Sequence, residues 1–187
     1  MTLFGSRDGD RVMVFIDYRN ICDMAQGIEL GHIDLYRLTQ ILVANRQLEG
    51  AYVFDAVSRF VSKDDANIKI HDKLQRIGFR VVERRSLDYN RETNKVDQKE
   101  VDVSLACEML EHALRDHYDV AVVVSGDRDF VPVMEKVQAA GKRVEVAALD
   151  NNSSFNEECK RKADVFYYLD KLPIIALDSE NFGAERL

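Results

Sequence analysis

V-A-V-V-V-S-G-D-R-D-F-V-P-V-M-E-K-V-Q-A-A-G-K-R-V-E-V-A, residues 120–147, reads as a strand, a helix and a second strand. The opening run, 120–124, is apolar and β-branched, short enough for a strand buried on both faces. Ser125 and Gly126 break it, and two carboxylates follow, Asp127 and Asp129, with Arg128 between them. Pro132 fixes where the helix begins, because proline is tolerated in the first turn, where its missing N–H had no intrahelical partner anyway. Asp129 is then the expected N-cap, with Phe130 and Val131 opening the first turn. The helix runs to about Ala140 and stops at Gly141. Both acids therefore stand where the first strand of the unit ends. Asp127 could simply form a turn and Asp129 cap a helix, or both could serve a hard cation with oxygen ligands.

Working outward, the same alternation repeats. Residues 11–16 form an apolar strand ending at Asp17. Residues 33–44 carry helical apolar spacing at Leu35, Leu38, Ile41 and Leu42, with Asp34 as cap. A strand over 51–57 follows, then a helix that starts at Asp64 or Asp65, carries Ile68, Ile70, Leu74 and Ile77, and stops at Gly78. Residues 79–83 form a strand, 84–95 a polar irregular loop, and 99–115 a helix whose core stripe reads Val103, Ala106, Leu110 and Ala113. After the central unit come a short helix over 153–162 and a weak strand over 165–169. Strands alternating with helices imply a parallel sheet covered on both faces, an α/β three-layer architecture. The expected organisation is a leader over 1–10, one domain over 11–172 and a tail over 173–187. The chain has 187 residues, within the range of a single domain.

Composition excludes several classes. Hydrophobic residues are 46% and charged residues 32%, ordinary for a water-soluble chain. No apolar run approaches a membrane span, and the first ten residues lack the apolar core of a signal peptide. Cys22, Cys107 and Cys159 are odd in number and far apart, which reads as free thiols in a reducing, cytoplasmic setting without a disulfide partner. His32, His71, His112 and His117 show no ligand spacing and are assigned to the surface or to amphipathic faces. A net charge of −7 argues against a wholly basic nucleic-acid surface, while leaving room for an acidic metal site and a local basic cluster.

The acids come together through topology. With sheet order 3-2-1-4-5, the first and fourth strands are neighbours and the crevice at the switch point opens between them. Asp17 ends the first of these strands, and Asp127 and Asp129 follow the other. Asp102 lies in the first turn of the helix that begins beyond the carboxyl end of the third strand, at the same edge. Close carboxylates cannot all stay ionised without a compensating cation. Mg²⁺ or Mn²⁺ suits an all-oxygen set that bridges to phosphate; in two-metal sites the ions lie about 3.5–4 Å apart, and one ion or two stays open. Asn20 could hold a water or phosphate oxygen, orient Asp17, or cap a turn. Ser125 could bond a carboxylate or just finish its strand. Lys99 shares a helical face with Asp102 and could reach phosphate. Arg80, Arg84, Arg85, Arg91 and Lys95, with Tyr89 among them, gather near the loop after the third strand, a candidate RNA rim. Arg19 and Arg128 stand beside the acids and join it.

F-I-D-Y-R-N, K-E-V-D-V-S-L-A-C-E-M-L and V-V-V-S-G-D-R-D-F-V-P-V-M-E with G-K-R-V-E-V resemble the NYN domain, of the LabA-like branch of the PIN-like nuclease superfamily, over roughly 11–170. The late S-S-F and A-D-V-F-Y-Y-L also resemble the family's closing helix and strand. The resemblance implies a PIN-like Rossmann-like fold and metal-dependent RNA cleavage, with Asp17, Asp102, Asp127 and Asp129 as metal-binding acids and Asn20 and Ser125 in support. The family commonly has D-G-x-N where this chain has Asp17-Tyr18-Arg19-Asn20, and K-G-V-D where it has Lys99-Glu100-Val101-Asp102. Tyr18 and Arg19 bring bulk and charge beside the site, to narrow access or grip substrate. The expected function is a ribonuclease, in particular an endonuclease, using Mg²⁺ or Mn²⁺ on single-stranded or structured RNA. The alternative is a regulatory module that binds RNA or a protein without cutting. A small-molecule phosphohydrolase would want a second acid two residues after the first-strand aspartate, where this chain has Arg19. Self-association into a homo-oligomer is compatible with the sequence but has no specific signal.

Overall fold

The structure is a computed structural model that describes residues 9–26, 33–58, 66–86, 89–90, 95–96, 99–149 and 154–172. Residues 1–8 of the expected leader, the tail over 173–187, Asp64, Asp65, Arg91 and Ser153 lie outside the described residues, while the Asp10 carbonyl accepts from the Gln47 N–H at 3.0 Å. The strands are β1 (Arg11–Asp17), β2 (Gln47–Ser58), β3 (Arg80–Ser86), β4 (Tyr89–Asn90), β5 (Lys95–Val96), β6 (Val120–Val124), β7 (Arg143–Ala148) and β8 (Val165–Tyr168). The helices are α1 (Tyr18–Gln26), α2 (Leu35–Val43), α3 (Ala66–Arg76), α4 (Lys99–Leu114), α5 (Val131–Ala139) and α6 (Ser154–Lys162). Six strands form one sheet in the order β3-β2-β1-β6-β7-β8, and every neighbouring pair in it is parallel. The expected order holds, with β8 added at the far edge. β4 and β5 form a separate two-stranded antiparallel ladder, so part of the segment expected to be irregular is a small hairpin.

The central strands β1 and β6 are apolar and buried on both faces, as parallel strands between two helical layers must be. Alternate residues feed two cores. Val12, Val14, Ile16, Val122 and Val124 pack with Ile21 of α1, Leu38 and Leu42 of α2 and Leu74 of α3. Met13, Phe15, Ala121 and Val123 pack with Leu105 and Met109 of α4, Met134 and Val137 of α5 and Cys159 of α6. Asp34 caps α2 as expected, its carboxylate accepting from the Arg37 N–H at 3.0 Å. Gly78 and Gly141 follow α3 and α5 with φ of +102° and +83°, left-handed conformations that end helices at little cost only in glycine.

Two sequence expectations shift. The buried stripe of α4 is Val101, Leu105, Met109 and Ala113, and Val103 is 62% exposed. Apolar residues run most of the way round this helix, so spacing alone fits more than one face. The cap before α5 is also displaced. A 3₁₀ turn over Arg128–Phe130 precedes α5, and Asp127, not Asp129, caps it, accepting from the Asp129 N–H. Pro132 still falls at the start of α5, and Phe130 occupies its N-cap position without a side-chain bond.

One buried ion pair braces the first core. The Arg46 guanidinium meets the Glu145 carboxylate of β7 through both oxygens, at 2.7 and 2.9 Å. Arg46 also donates to the carbonyls of Leu42 and Val43, groups a helix end leaves without intrahelical partners, and Tyr167 of β8 donates to Glu145 at 3.1 Å. The pair thus ties α2 to β7 and β8. Because Arg46 is fully enclosed, Glu145→Ala would strand a buried cation, and we expect a loss of about 3–5 kcal/mol in urea unfolding; a loss below about 1 kcal/mol would remove the brace from the account.

Candidate functional site

β1 ends at Asp17, level with Phe54 of β2, and Ile16 is level with Val124 of β6. The start of α1, which follows β1 directly, and the loop that leaves β6 therefore lie side by side at the carboxyl edge of the sheet, where the strand order reverses. Hydrogen bonds stitch the two segments together. The Asn20 N–H donates to Asp17 Oδ1 at 3.2 Å, and the Ser125 hydroxyl donates to Asp17 Oδ2 at 3.2 Å. The Gly126 N–H donates to Asn20 Oδ1 at 3.0 Å, the Asp127 N–H to Ser125 Oγ at 3.1 Å, and the Asp129 N–H to Asp127 Oδ1 at 2.9 Å. Asn20 therefore bridges the first turn of α1 to the loop after β6 rather than capping a turn. Ser125 holds a carboxylate as well as ending its strand. On the other side of Asp127, the buried Cys159 thiol donates to its carbonyl at 3.3 Å, a support with no signature in the sequence.

Electrostatics brings the acids together more directly than distance alone. Asp17 is 1% exposed. Its carboxyl pKa is raised from 3.8 to about 7: burial is the largest cause and the charges of Asp102 and Asp127 add to it, while the Asn20 and Ser125 bonds act in the lowering direction. Acids from three separate segments thus act on one point. Asp102 stands in the first turn of α4, where the helix dipole favours a negative charge. Asp129 lies exposed on the 3₁₀ turn, at the mouth rather than in the depth of the site. Among the described residues, no three His, Cys, Asp or Glu side chains form a group that could hold one metal ion. The donor chemistry nevertheless suits Mg²⁺ or Mn²⁺. These ions accept oxygen ligands, keep several waters and need only one or two direct carboxylates, and a cation would offset the repulsion that holds Asp17 near neutral.

The basic residues divide. Arg19, in the first turn of α1, faces Asp55 of β2, Nε to Oδ1 at 3.8 Å. Arg84 is exposed at the carboxyl half of β3, its Nε donating to Ser104 of α4 at 2.7 Å. Arg128 is exposed beside the acids on the 3₁₀ turn. The side chains of Arg85, Lys95, Lys99 and Tyr89 and the whole of Arg91 lie outside the described residues. Arg80 does not join the rim: it begins β3, at the opposite edge of the sheet, and stacks over the Tyr52 ring at 5.2 Å. The histidine assignment also changes. His71 is 1% exposed, with Nε2 3.0 Å from Asp55 Oδ2 and Nδ1 2.8 Å from Glu83 Oε1. The sequence signal for this cluster was an aspartate inside the apolar run V-F-D-A-V of β2.

The family model described as the NYN domain matches residues 11–170. No curated protein matches the sequence. Among solved structures, a protein of unknown function from Vibrio parahaemolyticus is similar with a TM-score of 0.71 at 21% identity, covering 90% of this chain and 98% of that one. At that identity the likeness speaks to the fold. MurG from Acinetobacter baumannii aligns at 12% identity over 91% of this chain and 44% of its own, with a TM-score of 0.47, too low to bear on this chain. No described helix is long and apolar enough to cross a membrane.

The raised Asp17 has a measurable consequence in metal-free protein. An acid whose folded pKa exceeds its unfolded value keeps its proton in the folded state after the unfolded chain has lost it. The Asp17 contribution to stability is then largest below about pH 4 and falls as pH rises towards 7. The rise from 3.8 to about 7 corresponds to about 4 kcal/mol. In EDTA, between pH 5 and pH 8, the wild type should lose several degrees of Tm more than Asp17→Asn, whose amide does not titrate. Parallel Tm profiles would contradict the burial and crowding described for Asp17.

Proposed function

The chain belongs to the NYN domain family, within the PIN-like nuclease superfamily, and from that premise we propose that it is a metal-dependent ribonuclease, in particular an endonuclease of RNA. The observation that carries the reading is the buried Asp17 at the switch point, crowded by Asp102 and Asp127 from two other segments. Mg²⁺ or Mn²⁺ would be held by Asp17, Asp102, Asp127 and Asp129, and when bound would polarise water and offset charge on the phosphate. The protein's own part is positional. Asn20 and Ser125 fix both oxygens of Asp17, so the carboxylate cannot rotate away from the crevice. Ser125 and the Asp129 N–H fix the loop that carries Asp127. Exposed Asp129 would bind the ion directly or through a water. Arg19, Arg84 and Arg128 flank the crevice and are suited to phosphate oxygens. Cations and hydrogen-bond donors held in advance against developing negative charge are the usual source of rate in phosphoryl chemistry, and the carboxylates' part is to hold the cation.

A test follows a labelled single-stranded RNA and a hairpin RNA on gels, in EDTA, Mg²⁺ and Mn²⁺. Wild type should cut only with metal, and Asp17→Asn, Asp127→Asn and Asp129→Asn should each lower the rate by at least about 100-fold, the scale of removing one preorganised electrostatic partner. Full cleavage by Asp127→Asn would remove the site assignment. RNA bound by wild type but never cut, in either metal, would replace the nuclease with a binding module of the same fold.

A further inference from the structure

A second polar cluster reaches the same edge from the opposite face of the sheet. Asp55 and Glu83 are cross-strand partners on β2 and β3, and His71 of α3 lies between their carboxylates, with both ring nitrogens at hydrogen-bond distance. A neutral imidazole carries one N–H and could donate to only one of them, so this geometry calls for the imidazolium. Burial works against the charge, but the bonds to Asp55 and Glu83 outweigh it and the His71 pKa is raised. The Tyr18 ring meets His71 edge-on at 6.0 Å. Asp55 is 0% exposed, and only its Oδ2 is satisfied: Oδ1 has no hydrogen-bond partner. Arg19 Nε lies 3.8 Å from that oxygen.

Charges therefore alternate along Glu83, His71, Asp55 and Arg19, through the buried His71 and Asp55 to a guanidinium that is 31% exposed. Arg19 is two residues beyond Asp17 and one before Asn20, whose side chain closes the acid site. Its Nε side turns to the orphaned oxygen. Among the described residues its outer nitrogens carry no partner, which leaves the fork that matches a phosphate available at the crevice rim. An arginine on a helix's first turn would otherwise sample many rotamers, and holding it from behind lowers the entropy lost on gripping a ligand.

We propose that Asp55, itself held by His71 and Glu83, is a positioning residue that aims the Arg19 guanidinium at an RNA phosphate flanking the acid crevice. This rests on the RNA reading above, and the test separates the two. Binding of a fluorescein-labelled single-stranded RNA is measured by anisotropy in EDTA over a range of NaCl concentrations, so that no cleavage enters. Arg19→Ala should weaken binding about 5–10-fold and reduce the slope of log K against log[salt] by about 0.7, one phosphate contact. Asp55→Asn should weaken it about 3–10-fold in the wild-type background and have no further effect in Arg19→Ala. A merely structural Asp55 would instead give the same loss in both backgrounds. If Asp55→Asn fails to fold, Glu83→Gln, on a partly exposed side chain, should show the same dependence on Arg19 at about 2–3-fold. Wild type that binds RNA normally while Asp55→Asn and Glu83→Gln leave affinity unchanged, or act independently of Arg19, overturns the positioning role alone. Wild type that binds no RNA even at low salt overturns the RNA reading, and this proposal with it.

Discussion

Every strand of the six-stranded sheet runs in the same direction, and the rest of the molecule follows from that constraint. Parallel strands can be joined only by crossovers, so each strand's carboxyl end delivers its loop to one edge. Helices must then cover both faces, which forces the central strands to be apolar throughout. A carboxylate at the end of such a strand cannot stay in water. Asp17 is buried because β1 is the middle of the sheet, not because the residue prefers burial. The reversal of strand order at β1 and β6 leaves the gap into which its side chain, and those of the neighbouring loops, are directed.

The burial has a cost that the surrounding groups reduce but do not remove. Asn20 and Ser125 stabilise the charged form of Asp17, while burial, Asp102 and Asp127 oppose it, and the opposition wins. A site that served only stability would have replaced one of these acids by a neutral group, because an unpaired buried carboxylate is among the more expensive features a fold can carry. The contrast with Glu145 is instructive. That carboxylate is equally buried, but Arg46 meets both of its oxygens. Glu145 is thus paired with a cation where it braces the core, whereas among the described residues Asp17 at the crevice has neighbouring acids and hydrogen-bond donors instead. On the far side of β2, the His71 imidazolium supplies the missing charge to Asp55 and Glu83. The two clusters are separated by the sheet and linked through the first turn of α1, where Tyr18, Arg19 and Asn20 face different neighbours.

Strand and helix periodicity made most of the fold legible, because the alternation of apolar runs with helical spacing is unambiguous around residues 120–147. The acids could be read because topology, rather than fine geometry, brings Asp17, Asp102 and Asp127 to one edge. What was not legible depended on three-dimensional detail. The face of α4 was misread, since its apolar residues nearly encircle it and only the sheet decides that Leu105 and Met109 turn inward. The 3₁₀ turn before α5 moved the cap from Asp129 to Asp127, a shift of two residues that propensity does not resolve. His71 looked like an amphipathic-face residue because its partners lie on β2 and β3, sixteen and twelve residues away. Arg80 was grouped with the basic rim by nearness in sequence, although it begins a strand whose far end carries Arg84.

The central claim is that the crowded carboxylates at the switch point hold a divalent cation. Its most direct measurement is titration of Mn²⁺ into the protein at pH 8, following free Mn²⁺ by electron paramagnetic resonance, with Asp17→Asn and Asp127→Asn beside the wild type. The account predicts saturable binding by the wild type and a loss of at least about tenfold in affinity for each variant. Wild type that leaves millimolar Mn²⁺ entirely free, or variants that bind it as tightly as the wild type, would contradict it.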